Sequence, residues 1–129
     1  MVDEWWGRPL RAALPRLFLD HFHGTSFVAE DDERLVGFLV GFLSPSRRDE
    51  AYVHFVGVAP AARGSGLGRE LYQRFFALAR ADGRAVVRAV TSPVNTGSIA
   101  FHRRLGFSAR EIADYDGSGS PKVVFERRL

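Results

Sequence analysis

Cysteine is absent from this chain of 129 residues. That absence excludes a disulfide framework, a thiolate-ligated zinc, an iron–sulfur cluster and a thiol nucleophile. Four histidines are left as soft ligands. His21 and His23 stand two apart, a spacing that does not share one helix face, so they read as neither a metal pair nor a catalyst, and no metal site is expected. Long apolar runs are missing too: the longest, residues 35–43, contains Gly37 and Gly41 and falls well short of the ~18 residues that a membrane-spanning helix needs. Acids at Asp3 and Glu4 stand where a secretory signal carries bases, so the expected compartment is the cytoplasm. Charge of one sign is not in large excess, with 18 Lys+Arg against 15 Asp+Glu. The pairs Arg47-Arg48, Arg103-Arg104 and Arg127-Arg128 read as solvated charge. No aromatic-basic stripe accompanies them, and neither a nucleic-acid nor a membrane partner is expected. Repeats and low-complexity segments are also lacking, and the length corresponds to one domain, residues 1–129.

What is present alternates between two periods. Leu10, Leu14, Leu17, Phe18 and Phe22 recur at helical spacing over residues 8–23, with Pro15 dividing the segment. Residues 25–30 and 35–43 read as a hairpin around Asp31 to Arg34. Residues 51–58 alternate as a strand should, with Val53, Phe55 and Gly57 on one side and Tyr52, His54, Val56 and Val58 on the other. Gly57 inside that strand suggests a bulge or a close backbone approach. Leu67, Leu71, Phe75 and Leu78 line one face of a helix that Asp82-Gly83 stops. A strand over residues 85–90, a short helix over 98–105 closed by Gly106, and strands over 107–115 and 122–129 complete the chain. The order implies an α/β fold on a mixed sheet.

The segment that carries chemistry joins the residue 51–58 strand to the amphipathic helix through Arg63-Gly64-Ser65-Gly66-Leu67-Gly68. Glycines at alternate positions allow successive N–H groups to face one concavity, and the helix N-terminus adds unpaired donors and a positive dipole end. Arg63 adds a full charge. An anion such as a pyrophosphate suits that arrangement. A Walker loop is excluded because Arg69 and Glu70 follow Gly68 where Lys and Ser/Thr would be required, and the dinucleotide fingerprint needs a glycine spacing that is not present.

Arg63-Gly64-Ser65-Gly66-Leu67-Gly68 resembles the R-x-x-G-x-G/A acyl-CoA loop of the GCN5-related N-acetyltransferases (GNAT). A second match lies downstream, where the segment from Asn95 through Ser98, Phe101 and His102 to Gly106-Phe107 is similar to that family's N-x-x-[AS]-x-x-[FL]-[YH]-x-x-x-G-F helix. Thr91-Ser92-Pro93-Val94-Asn95 and Asp114-Tyr115-Asp116-Gly117 also look like signatures of one bacterial branch. The resemblance implies a mostly antiparallel sheet with splayed central parallel strands and flanking helices. Members usually begin with a further strand and helix, so the N-terminal strand is expected to be missing, leaving a sheet edge open or covered by a second subunit in a homodimer. Acetyl-CoA is the implied cosubstrate. The backbone of Val56, Gly57 and Val58 would pair with the pantetheine amides. The amides of Arg63, Gly64, Ser65, Gly66, Leu67 and Gly68 would cradle the pyrophosphate, and Asn95 would bond the pantetheine arm. The implied reaction is direct acetyl transfer to a primary amine in a ternary complex. A small molecule or amino-acid derivative is favoured over a protein N-terminus or lysine, and a non-catalytic acyl-CoA-binding module is the alternative.

Such a reaction asks for a base to deprotonate the ammonium, an acid for the departing thiolate and a backbone N–H for the oxyanion, here Val56. His102 stands where the family usually has a tyrosine acid. His54 is the first candidate for base, with Glu50 two turns of the alternation earlier on the same face as a second, acting through water, and Tyr52 able to orient either. Asp114, Tyr115 and Asp116 are expected to overhang the acceptor groove and favour a cationic amine, though turn formation explains an Asp-Gly pair equally well. Trp5 and Trp6 are candidates for another wall of that groove.

Overall fold

In the computed structural model of the chain, the residues described are 23–31, 34–60, 63–117 and 119–129. Trp5, Trp6, His21 and the helical segment expected before residue 23 lie outside them, as does any strand ahead of the first described one. A 3-10 turn at His23–Thr25 leads into β1 (Phe27–Asp31), β2 (Arg34–Leu43), β3 (Glu50–Val58), α1 (Leu67–Ala81), β4 (Val86–Thr91), α2 (Thr96–Arg104), β5 (Ser108–Ile112) and β6 (Lys122–Arg128). Thr25, expected in the first strand, belongs to the turn instead, where its hydroxyl donates to the Gly41 carbonyl.

The described strands form one sheet in the order β1-β2-β3-β4-β6-β5. Neighbours are antiparallel except β3 and β4, which run parallel because α1 carries the chain back across the sheet. This is the mixed, mostly antiparallel arrangement expected. The parallel pairing is short, from Glu50↔Val86 to Val53↔Ala89, while β3 continues to Val58 and β4 to Thr91. Beyond Val53 and Ala89 the two strands part. β3 stays on β2 and β4 stays on β6.

The cause lies one residue later. Along β2 the partner of Val40 is Phe55 and that of Gly41 is Val53, which leaves His54 as the extra residue of a β-bulge. A bulge bends and twists its strand, so β3 turns away from β4 where it occurs. It also exchanges the faces. Ala51 and Val53 lie in the core beneath α1, and after the bulge Val56 packs against the same core. The regular alternation expected over residues 51–58 therefore breaks at His54, and the bulge is not at Gly57, which pairs in register with Phe38.

Two glycines of β2 determine how closely α1 approaches. A Cβ at Gly41 would stand 2.6 Å from Phe75 Cε1, and one at Gly37 would stand 2.9 Å from Leu67 Cδ2. α1 then buries Leu71, Tyr72, Phe75, Phe76 and Ala79 over Leu39, Val53, Val87 and Phe125. Each large apolar side chain so buried contributes about 1.5–3 kcal/mol. At the far end of the sheet Arg84 ties the chain together, donating to the carbonyls of Ser44 at 2.7 Å and Glu50 at 3.1 Å while paired with Asp82 at 2.8 Å.

Candidate functional site

The gap between β3 and β4 opens on backbone that needs partners. The Ala59 N–H donates to the Val36 carbonyl at 2.7 Å, so Ala59 and Gly57 are directed toward β2. Alternation turns Val56 and Val58 the other way. Consistently, the Val58 carbonyl accepts from Arg63 Nε at 3.2 Å. The N–H and C=O of Val56 therefore face the gap, where β4 no longer reaches them.

The gap leads into the glycine turn. Gly64 and Gly66 have φ of +83° and +87°, and a Cβ built on either would meet nothing within 4 Å. They are glycines for backbone reasons, and the space above them is open. Gly66 caps α1 with no side-chain bond, and the first bond of the helix runs from the Glu70 N–H to the Gly66 carbonyl at 3.0 Å. The helix thus supplies no acceptor for the N–H groups of Leu67, Gly68 and Arg69. Gly68 has a different task from the other two. A Cβ there would stand 2.9 Å from Phe101 Cζ, so this glycine allows α1 and α2 to pack.

Asn95 sits at the mouth of the gap and is already employed. Its Oδ1 accepts from the Ser98 N–H at 3.4 Å as the cap of α2, and its Nδ2 donates to Thr91 Oγ1 at 3.2 Å at the end of β4. One N–H and a lone pair of the amide remain.

His102 does not face the gap. It is 3% exposed, stacked on Phe125 with ring centroids 4.0 Å apart and edge-on to Phe107 and Tyr72. Its Nδ1 lies 2.8 Å from the Ser98 carbonyl, an acceptor only, which fixes the proton on Nδ1. Nε2 then accepts from the Tyr72 hydroxyl at 2.6 Å. Burial holds the imidazole pKa down to about 4, against a smaller upward push from the Ser98 bond. The imidazole is enclosed, with its proton committed to the Ser98 carbonyl and Nε2 to the Tyr72 hydroxyl, so the structure places His102 in the core rather than at the gap.

Glu50 is likewise drawn elsewhere. It stands at the start of β3, paired with Val86 rather than beside the gap, and its Oε1 lies 2.6 Å from Arg88 Nε. Arg88 also reaches Glu126 at 2.6 Å, making a carboxylate–guanidinium–carboxylate bridge across three strands. The bulge also removes Glu50 and Tyr52 from the face of Val56. His54, at the bulge itself, is the candidate base nearest to the gap. It is half-buried with its ring 4.3 Å from that of Phe55, and burial lowers its pKa below the usual imidazole value. Tyr52 stacks on Phe42 at 5.3 Å, and burial, with a smaller contribution from Tyr115, pushes its phenol up to about 12. In the final hairpin loop Asp114 accepts from the Gly119 N–H at 2.5 Å and so holds its own turn, while Tyr115 is 45% exposed.

Sequence reasoning missed two residues of this region and one backbone feature: Tyr72 as the partner of His102, Arg88 as the partner of Glu50, and the bulge at His54. The last left no clear signal, because Phe55 and Val56 are both apolar and the alternation can be read through either.

The model of the Acetyltransferase (GNAT) family matches residues 2–107. The L-2,4-diaminobutyric acid acetyltransferase of Nocardia farcinica is 39% identical over 84 residues, which are 65% of this chain and 44% of that protein. The chain spans about half the length of the curated relatives it matches. A Desulfovibrio desulfuricans protein assigned to the GNAT family superposes with a TM-score of 0.79 at 24% identity, covering 93% of this chain and 82% of the other. A Salmonella typhimurium protein assigned as an acetyltransferase, solved with its cofactor acetyl-CoA, gives a TM-score of 0.66 at 27% identity over 81% of this chain and 64% of the other. Among the described residues no helix is long and apolar enough to cross a membrane. With the gap, the glycine turn and the family match in agreement, this chain belongs to the GNAT family of acetyltransferases.

Proposed function

We propose that the chain transfers an acetyl group from acetyl-CoA to the primary amine of a small molecule. The observation that carries this reading is the end of β3–β4 pairing at Val53↔Ala89, which directs the Val56 backbone into a gap continuous with the open turn at Gly64 and Gly66. The residues present fit an acyl-CoA: an unpaired strand edge for amides, then helix N–H groups and Arg63 for a pyrophosphate. Acetyl-CoA supplies the thioester, an activated acetyl carbonyl.

The chain's own groups account for the rest. Val56 and Val58 hold the pantetheine arm as a neighbouring strand would, with Gly57 between them, and the spare N–H of Asn95 reaches the same arm. The N–H of Val56 stabilises negative charge on the carbonyl oxygen, a role worth several kcal/mol where water is excluded. His54, kept neutral by burial, accepts the proton of the incoming ammonium directly or through one water. His102 donates nothing. A thiol with a pKa of ~8.5 leaves readily enough as thiolate to be protonated by solvent. The relative from Nocardia farcinica is named for a diamino acid, which supports an amino-acid-like acceptor here.

The enclosure of His102 favours one further reading, an acyl-CoA-binding module without turnover, since the family's usual acid position is used for packing. Thiol release distinguishes the two. Purified protein incubated with acetyl-CoA and a panel of small primary amines, including L-2,4-diaminobutyrate, should release CoA with at least one of them. Saturable acetyl-CoA binding with no amine-dependent release across the panel would replace the enzyme reading with the binding module.

A further inference from the structure

A second charged feature lies on the opposite flank of α1 from β1. A cleft of about 390 Å³ is lined by Arg69, Gln73, Phe76, Arg80, Leu105 and Arg127, without a single acid. The four α1 residues step by four, three and four, so they occupy one helix face. Phe76 and Leu105 form an apolar floor, and three guanidinium groups and an amide surround it.

Arg127 is fixed there. Its Nε donates to the Leu105 carbonyl at 2.9 Å, and its guanidinium carbon lies 4.4 Å from the centre of the Phe76 ring. Its Nη1 is buried and has no hydrogen-bond partner, the one buried side-chain nitrogen or oxygen so placed among the described residues. An unsatisfied charged donor is costly, and an anion nearby offsets that cost. Among the described residues the acids of α1 and its end are committed elsewhere, Glu70 to Arg74 and Asp82 to Arg84. Arg69 and Arg80 have no carboxylate partner among them.

We propose that this cleft is an anion site separate from the strand–turn–helix site, and that its ligand is a molecule carrying more than one phosphate or carboxylate group. Guanidinium forks match the oxygens of either group. Arg69 and Arg80 stand eleven residues apart, about 16 Å along the helix axis, with Arg127 between them. One anionic group reaches only part of that set, whereas a linear or branched polyanion spans it. The volume lies at the small end of the range for ligand pockets.

The test is calorimetric titration of the full chain with tripolyphosphate and, separately, with citrate, at ionic strength held constant with sodium chloride. Arg80→Gln and Gln73→Glu lie one to three turns beyond the glycine turn on exposed positions, so neither is expected to disturb folding. Gly66→Glu blocks the turn itself. The proposal expects saturable binding of at least one probe, retained in Gly66→Glu and weakened about tenfold or more in Arg80→Gln and Gln73→Glu, the scale of one charge-assisted hydrogen bond. The stronger probe identifies the ligand as phosphate-bearing or carboxylate-bearing. Absence of binding by both probes overturns the proposal, as does binding lost in Gly66→Glu or unchanged in the two cleft variants.

Discussion

The Tyr72 hydroxyl and His102 Nε2 lie 2.6 Å apart in the core, joining the helix that follows the glycine turn to the helix that Asn95 caps. The two helices flank the candidate acyl-CoA slot, so this one bond fixes their relation at its base. Tyr72→Phe leaves Nε2 buried without a donor and should cost about 1–3 kcal/mol in urea denaturation. The double variant Tyr72→Phe/His102→Phe removes both polar groups and should lose less than the sum of the two single changes. Strict additivity would show that the bond is not formed.

The same burial sets a pH dependence. His102 binds a proton at about 4 in the folded chain and at ~6.5 when unfolded, so the unfolded state holds more protons between those values. Stability should therefore rise with pH from about 4 to 6.5 and level off above, with His54 acting in the same direction. Denaturation midpoints measured across that range should show a shallower slope in His102→Phe. An unchanged slope would mean that His102 titrates normally.

Catalysis should separate the histidine at the bulge from the carboxylate behind it. His54→Gln is expected to lower kcat by about 10²-fold or more, the usual contribution of a positioned base. Glu50→Gln should keep kcat within about twofold while lowering stability, because Glu50 serves Arg88. Steady-state kinetics and melting curves on both variants decide the matter, and a kcat loss confined to Glu50→Gln would reverse the assignment.

The glycines of the turn should divide into two classes. Gly68→Ala drives a Cβ against Phe101 and should destabilise the fold by about 1–3 kcal/mol, less in a Phe101→Leu background. Gly66→Ala meets no neighbour, so its cost should be limited to about 1–2 kcal/mol of left-handed backbone strain. Thermal or urea unfolding of Gly68→Ala and Gly66→Ala, each in the parent and in the Phe101→Leu background, checks the division. Equal rescue of both by Phe101→Leu would contradict it.

Much of this was legible in the sequence wherever a local rule and the tertiary context agree. The α1 face, the stop at Gly106 and the glycine turn are short-range features and stand where spacing and turn chemistry put them, whereas α2 begins at Thr96 under an Asn95 cap, two residues before the start expected at Ser98. What escaped was long-range. His102 reads as a surface acid from its motif, yet the motif cannot show that Tyr72, thirty positions away, supplies a partner that makes burial tolerable. Glu50 reads as a free base until β4 brings Arg88 beside it. The bulge at His54 is a matter of register between strands, and a glycine two residues from Phe55 drew the expectation to the wrong position.

The central claim is that the gap after Val53 and the turn at Gly64 and Gly66 form one acyl-CoA site. Calorimetric titration of acetyl-CoA into the parent and into Gly66→Glu tests it most directly. The account predicts saturable binding by the parent and, in a variant whose melting curve stays cooperative, affinity reduced at least about a hundredfold, since a carboxylate then occupies the space of a phosphate and repels it. No binding by the folded parent, or equal affinity in Gly66→Glu, would contradict it.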